Sequence, residues 1–456
     1  MQQLLEGLGW VPRTAVWEIT RACNLRCGHC GSSAGTARAG ELSSEEARRL
    51  IEQLGELGNR LLTLSGGEPT LRADWPELVR AAVGSGITVN LVTNGQTDAR
   101  RLAALARETR LANVAVSLDG LETTHDALRG PGTFRRAVAT IRTLVGADVW
   151  VDVMVTVNRR NLGELAELYA GLAELGVRRF RAQLGKPIGN QTHRRDLTLL
   201  PRQLLELLPL LGSLRSGPRV LVGDSLGYFS AEERRLRGEH CDQGHWTGCY
   251  AGCQAIGIQS DGGIKGCLSL QPRAGERDPF VEGNVRAEPL DAIWFRPGAF
   301  AYNRSPSHQL EGACARCGHR NLCRGGAKCV AYAFTGGVQH DPMCYLAVAS
   351  QERRSARHVW PVSGAAAAAM LLLGMVGCGG ETPTVEQTGG GGQTGVTGGE
   401  SPGGGSPGGG AAQGGKSTGG TSAVDAGPDG INCQTVCCMC DYGIIPPELY
   451  QACCGS

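Results

Sequence analysis

Neither sign of charge dominates this chain: 45 Lys and Arg stand against 43 Asp and Glu, a formal net charge of +2. With no long Lys/Arg block, a duplex-binding face and a polybasic membrane patch are both disfavoured, and nucleic acid is not an expected partner. The opening MQQLLEGLGWV lacks the basic start and apolar core of a cleavable signal, so a reducing cytoplasm is the expected location of the folded part. There, clustered cysteines read as metal ligands more readily than as disulfides. The 19 cysteines are clustered: Cys23 to Cys30, Cys241 to Cys267, Cys314 to Cys344 and Cys433 to Cys454.

With 41% hydrophobic and 19% charged residues over 456 positions, the chain can bury a sizeable core and form two domains and a tail. From about residue 15 to 184, short apolar runs alternate with amphipathic stretches, the pattern of repeated βα units. Strands are predicted at 15–20, 61–66, 88–94, 113–119, 150–157 and 178–184. A helix is predicted over 43–58, where Ser43 and Glu46 form a capping box and Leu50, Ile51, Leu54 and Leu57 recur at helical spacing. Periodicity alone allows either a partial barrel or a doubly wound open sheet.

The expected layout is a barrel core at 1–190, Leu-rich bridging helices at 191–222 and a Gly- and Cys-rich domain at 223–357. That second domain has few apolar side chains to bury, so cross-linking by metal is a physical reason for it to fold. Residues 358–378 hold an apolar run ending in Cys378, 379–430 form a Gly-rich linker with tandem SPGGG, and 431–456 are a Cys-dense peptide.

Cys23, Cys27 and Cys30 make C-x3-C-x2-C directly after the first predicted strand. Active sites collect at the C-terminal ends of barrel strands, and one short loop of this spacing can put three thiolates on three irons of one cube. The fourth iron is then open to an external ligand. The competing reading is a zinc site, for which His29 inside the loop is the available fourth donor.

Three further strand ends carry motifs: Ser65-Gly66-Gly67-Glu68-Pro69, Thr93-Asn94-Gly95 and Ser117-Leu118-Asp119-Gly120. With the cysteine loop, they resemble the radical S-adenosylmethionine (SAM) family over about residues 15–187. The resemblance implies a partial (β/α)6 TIM-type barrel. It also implies a [4Fe–4S] cluster on Cys23, Cys27 and Cys30 that cleaves SAM reductively. Gly66, Gly67, Glu68 and Pro69 are then expected at the SAM amino group, where Glu68 offsets its charge, and Asn94 and Ser117 as further SAM contacts. His125, Asp126, Arg129 and Gly132-Thr133-Phe134 also resemble the family, without an assignable role.

The later cysteines resemble the SPASM extension, which implies one or two auxiliary [4Fe–4S] clusters. By that resemblance Cys249, Cys253, Cys267 and Cys329 hold the first and Cys314, Cys317, Cys323 and Cys344 the second. Two closed clusters imply electron relay or structural support. Five residues separate Cys323 from Cys329 where the family usually has three, so this loop must bulge, and Cys241 is supernumerary. Paired zinc knuckles are the alternative for this domain. Leu268 follows Cys267 where sulfatase-maturing relatives carry an Asp base, which disfavours sulfatase maturation.

The function implied is an oxidoreductase that takes hydrogen from a ribosomally made peptide and matures or cross-links it, for instance through a thioether. Its partners are then a precursor peptide, with the chain's own 431–456 one candidate, and a low-potential donor such as flavodoxin or ferredoxin. Radical modification of a small-molecule or carrier-bound substrate and a non-catalytic zinc-binding or anchored scaffold are the rivals. Arg353, Arg354, Arg357 and the run at 359–378 resemble a lipoprotein signal, although such signals are N-terminal. As a spanning helix the run is marginal, being Ala-heavy and broken by Pro361, Gly364 and Gly374. A fused precursor, a membrane anchor and two genes read as one remain open for this tail.

Overall fold

In the first strand, β1 (Thr14–Thr20), successive side chains point to opposite faces: Trp17 and Ile19 are buried against helices, while Val16 and Glu18 face a cavity. The same period of two runs through β2 (Leu61–Gly66), β3 (Thr88–Thr93), β4 (Asn113–Ser117), β5 (Val151–Val157) and β6 (Arg179–Leu184). One set, Leu62, Leu64, Val89, Leu91, Val114, Val116, Val153, Val155 and Phe180, packs outward as the core. Fully burying each such side chain contributes about 1.5–3 kcal/mol. The other set, including Thr63, Ser65, Asn90, Asn113, Ser117, Thr156, Arg181 and Gln183, lines the cavity.

The structure is a computed structural model that describes residues 10–358, apart from 224, 238–245, 274–275 and 306–308. Strands β1 to β6 pair in parallel and in ascending order, followed by β7 (Arg219–Val222). A doubly wound sheet reverses its strand order at a switch point. From β1 to β7 there is no reversal, so the choice left open by periodicity falls to the partial barrel.

Helices α1 (Ser44–Glu56), α2 (Trp75–Gly84), α3 (Ala99–Glu108), α4 (Glu122–Arg129), α5 (Thr133–Gly146) and α6 (Leu165–Glu174) connect the strands. The capping box at α1 is present in both directions: Glu46 N–H donates to Ser43 Oγ at 3.2 Å and Ser43 N–H to Glu46 Oε2 at 2.8 Å. Ala47, Leu50, Ile51 and Leu54 form its buried face. The observed strands match the predicted ones to within two residues at each end.

Two features depart from the sequence-based expectation. The segment 191–222 contains not only the Leu-rich helix α7 (Leu204–Ser213) but also β7. The Cys-rich region after it contains α8 (Glu233–Arg237), β8 (Ala255–Ile258), β9 (Gly263–Lys265) and β10 (Gly283–Asn284), and these three strands continue the barrel sheet. Thr14 to Trp17 of β1 pair in parallel with Ala255 to Ile258. Strands of two to four residues hold too few positions for an alternation to be read. Helices complete the region: the short α9 (Leu290–Trp294), α10 (Ala301–Arg304), α11 (Gly312–Ala315), α12 (Arg320–Cys323) and α13 (Lys328–Thr335), and the longer α14 (Tyr345–His358).

Among the described residues no helix is long and apolar enough to cross a membrane. Cys241, the apolar run at 359–378, the linker expected to be disordered and the terminal Cys-rich peptide lie outside the described residues.

Candidate functional site

The loop after β1 is pinned by backbone: Cys23 N–H donates to Gly35 O at 3.0 Å, Cys30 N–H to Cys27 O at 3.3 Å and Gly28 N–H to Leu128 O at 3.0 Å. Cys23, Cys27 and Cys30 thereby line one cavity of about 490 Å³ at the C-terminal ends of the strands. Each sulfur is met by a donor. Leu25 N–H (3.4 Å) and Asn94 Nδ2 (3.8 Å) reach Cys23, Arg129 Nη1 reaches Cys27 at 4.0 Å, and Ala34 N–H reaches Cys30 at 3.4 Å. As free thiols Cys27 and Cys23 resist ionisation: burial pushes Cys27 up to about 11 against the pull of Arg129, and burial likewise raises Cys23. Donors ringed around three sulfurs suit thiolates on a metal centre, where the metal supplies the missing charge compensation.

Asp119 ties this loop to the barrel from behind. Its Oδ2 accepts from Arg129 Nε at 2.6 Å and His29 Nε2 at 2.8 Å, and its Oδ1 from Thr156 N–H at 2.7 Å. Burial opposes ionisation, yet Arg129 and His29 hold this carboxyl well below the usual range. His29 Nε2 is thus engaged, while its buried Nδ1 has no hydrogen-bond partner. Among the described residues no three Cys, His, Asp or Glu side chains converge as tightly as a single metal ion requires.

The Ser65-Gly66-Gly67-Glu68-Pro69 turn ties two strand ends together. Glu68 is fully buried, and its carboxylate accepts from Thr70 Oγ1 (2.7 Å), Thr93 Oγ1 (2.8 Å) and Asn94 N–H (2.8 Å), so it braces the end of β2 to the end of β3. Burial raises its pKa. Neither Glu68 nor the buried Pro69 lines the cavity, whereas Gly66 and Gly67 do. A Cβ on Gly66, at φ +148°, would lie 2.2 Å from Thr20 O, and one on Gly67 2.1 Å from Ala22 O. The glycines therefore admit the backbone of the cysteine loop. Asn94 and Ser117 both face the cavity, with Asn94 Nδ2 also donating to Asn24 Oδ1 at 2.8 Å.

Roles emerge for the motif around α4. Asp126 receives the backbone N–H groups of Gly132 (2.6 Å) and Phe134 (2.8 Å) at the start of α5, and His125 Nδ1 accepts from Asp119 N–H at 3.1 Å. His125, Asp126 and Arg129 stood out in the sequence without a role; that His125 and Arg129 converge on Asp119 did not. Nothing in the sequence pointed to Asn24, Thr156 or Lys186.

Several of the later cysteines lie near one another. Cys249, Cys267 and Cys329 lie within electrostatic reach of one another, and Cys253 follows Cys249 in one turn, its N–H on Tyr250 O at 2.9 Å. The Cys329 thiol donates to Cys267, which makes Cys267 the more acidic of the pair. Cys314 likewise meets Cys317, Cys323 and Cys344. The bulge demanded by the long Cys323–Cys329 spacing exists: Arg324, Gly325 and Gly326 are all left-handed, at φ +54°, +89° and +82°. The buried Lys328 ammonium sits between the sets, in reach of Cys249, Cys323 and Cys314. Cys267, Leu268 and Ser269 form part of the same cavity wall that Cys23, Cys27 and Cys30 enter from the barrel.

Comparison with known proteins agrees with this geometry. The Radical SAM superfamily profile matches residues 17–171, and that of the SPASM iron–sulfur cluster-binding domain matches 249–318. The chain is 34% identical over 353 residues to mycofactocin maturase MftC of Mycobacterium tuberculosis (strain ATCC 25618 / H37Rv), covering 75% of this chain and 85% of that protein. It is 30% identical over 347 residues to an AdoMet-dependent heme synthase of Methanosarcina barkeri, covering 73% and 96%. In fold it is similar to Streptococcus suis SuiB bound to S-adenosylmethionine, with a TM-score of 0.58 at 16% identity over 73% of this chain and 76% of that one. It is similar also to anSMEcpe with bound AdoMet and a peptide, with a TM-score of 0.56 at 16% identity over 74% and 95%. On these grounds the chain belongs to the radical SAM superfamily as an enzyme with a SPASM domain, and its cofactors are a [4Fe–4S] cluster, S-adenosylmethionine and auxiliary iron–sulfur clusters.

Proposed function

We propose that this chain is a peptide-modifying radical SAM enzyme in which Cys23, Cys27 and Cys30 hold the SAM-cleaving cluster and Cys249, Cys253, Cys267, Cys329 and Cys314, Cys317, Cys323, Cys344 hold two closed auxiliary clusters. When bound, these groups supply a 5′-deoxyadenosyl radical for hydrogen abstraction and sites that take up the electron released as the substrate radical is oxidised. The observation that carries the reading is the single cavity bordered at one side by the three-cysteine loop and at another by Cys267, so that one bound substrate group faces both. Gly66 and Gly67 admit the loop, Glu68 fixes the two strand ends, and Asn94 and Ser117 offer polar contacts toward SAM. Asp119 holds Arg129 beside Cys27.

A peptide is supported as substrate by the relative named as a mycofactocin maturase and by the fold likeness to SuiB, which has been solved bound to precursor peptide SuiA. The Gly-rich tether at 379–430 raises the effective concentration of the Cys-dense 431–456 peptide at the barrel mouth, and thioether cross-linking of its thiols is the reaction proposed. Anaerobic incubation of the reconstituted enzyme with SAM, reductant and a 431–456 peptide tests this. Loss of two hydrogens per cross-link is expected; unchanged peptide mass despite SAM cleavage excludes that substrate.

The relative named as a heme synthase favours a second reading, a small-molecule substrate. Deleting 359–456 separates the two, since activity on a small molecule is then retained and the tail has no part in it.

A further inference from the structure

Three basic side chains line the cavity besides His29: Arg129, Arg181 and Lys186. Arg129 is committed to Asp119 at 2.6 Å, and Arg181 lies 3.6 Å from Asp152. The cavity's carboxylate, Glu18, is committed in turn to Arg38 at 3.1 Å and Ser260 Oγ at 3.3 Å. Lys186 is the cation of the three for which no carboxylate or hydrogen-bond partner occurs among the described residues.

Its position is set from both sides. Gly185 N–H bonds Val157 O at 2.9 Å, fixing the segment to the end of β5. Asn190 N–H bonds Cys30 O and Asn190 Nδ2 bonds Cys27 O, each at 2.9 Å, fixing its other side to the cysteine loop. The ammonium is half-buried in the cavity whose wall Cys267, Leu268 and Ser269 also form. A half-buried ammonium with no carboxylate beside it is placed to receive an incoming anion through a charge-assisted hydrogen bond.

We propose that Lys186 is the anion-anchoring subsite of the cavity, where it binds a carboxylate of the substrate and seats the neighbouring carbon between the Cys23–Cys27–Cys30 loop and Cys267. This deepens the functional reading above and rests on it for the substrate being a peptide, but the carboxylate itself can be tested without that assumption.

The test uses the reconstituted enzyme with SAM under anaerobic conditions, and N-acetyl-glycylglycine and its amide as probes. The acid binds at least tenfold more tightly than the amide; Lys186→Gln abolishes the difference and Lys186→Arg retains it. Equal binding of acid and amide to the parent, undiminished discrimination by Lys186→Gln, or no binding of the acid up to the millimolar range overturns the proposal. Iron content and visible spectrum of each variant report that the clusters are intact. If Lys186→Gln shifts the auxiliary-cluster potential while discrimination persists, Lys186 serves the cluster and the proposal falls.

A second arm identifies the source of the carboxylate with the 431–456 peptide, its C-terminal amide and its Asp441→Asn and Glu448→Gln forms. The form whose KM rises without dependence on Lys186 marks the group that pairs with it. If no form of the peptide is modified while the acid probe still discriminates, the peptide reading fails and the anion subsite stands.

Discussion

Replacing Asp119 by Asn removes the anion shared by Arg129 and His29 and leaves a buried guanidinium facing Cys27 without compensation. Breaking a buried pair in this way costs about 3–5 kcal/mol, so Asp119→Asn is expected to lower the unfolding free energy by that order in urea denaturation. The pH dependence has a definite sign. A carboxyl whose folded pKa is depressed stabilises above its unfolded value of about 4 and loses that contribution as pH falls below it. The parent should therefore lose stability steeply on acidification, and the Asn variant less so. Glu68→Gln is milder: a neutral amide leaves part of the Thr70, Thr93 and Asn94 donor set unmatched, at about 1–3 kcal/mol. Denaturation of both variants under one set of conditions checks the order. Residue identities at these turns were legible in the sequence because strand ends punctuate it. Their roles were not, since the Glu68 carboxylate points at neighbouring strands and the partners of Asp119 come from Thr156 on β5 and Arg129 on α4.

Between elements, Arg286 clamps the start of α1 to the short strands that extend the sheet: it bonds Glu46 twice, at 2.6 and 2.8 Å, and reaches Gly40 O at 2.6 Å. The Arg286 hydrogen bonds and Ser43 N–H pull Glu46 down to about 2. Its contribution is thus present above about pH 4 and lost as pH falls through about 2. Because the pair is partly solvated, Arg286→Ala is expected to cost only about 1 kcal/mol, read as a small fall in Tm at neutral pH that disappears near pH 2. The turn from α12 to α13 is less forgiving. A Cβ on Gly326 would lie 2.5 Å from Asp341 Cβ at a left-handed φ, so Gly326→Ala should displace Cys329 and lose about four irons per chain. Iron analysis of the reconstituted variant checks this. The need for a bulge between Cys323 and Cys329 could be counted from the sequence. That β8 to β10 join the barrel sheet could not, because their pairing with β1 and with each other is set by tertiary contact.

At the scale of the whole molecule, one cavity of mixed polar and apolar lining inside an apolar-backed partial barrel meets a wall contributed by the Cys-rich region. Alternation along six strands made the βα units legible, and the motifs at four strand ends, through the family they resemble, pointed to a barrel and its active face. The partnerless Lys186 was not, since an isolated lysine carries no pattern and its significance depends on every other charge in the cavity being paired. Three cubes require about twelve irons per chain. Removing Cys27 should take about four and leave the auxiliary sets in place. The most direct measurement is therefore 5′-deoxyadenosine formed from SAM under reducing, anaerobic conditions by the reconstituted parent and by Cys27→Ala. The parent is expected to form it, and Cys27→Ala, still holding about eight irons, to form none. Formation at the parent's rate by Cys27→Ala, or none by a fully loaded parent, would contradict a SAM-cleaving cluster at Cys23, Cys27 and Cys30.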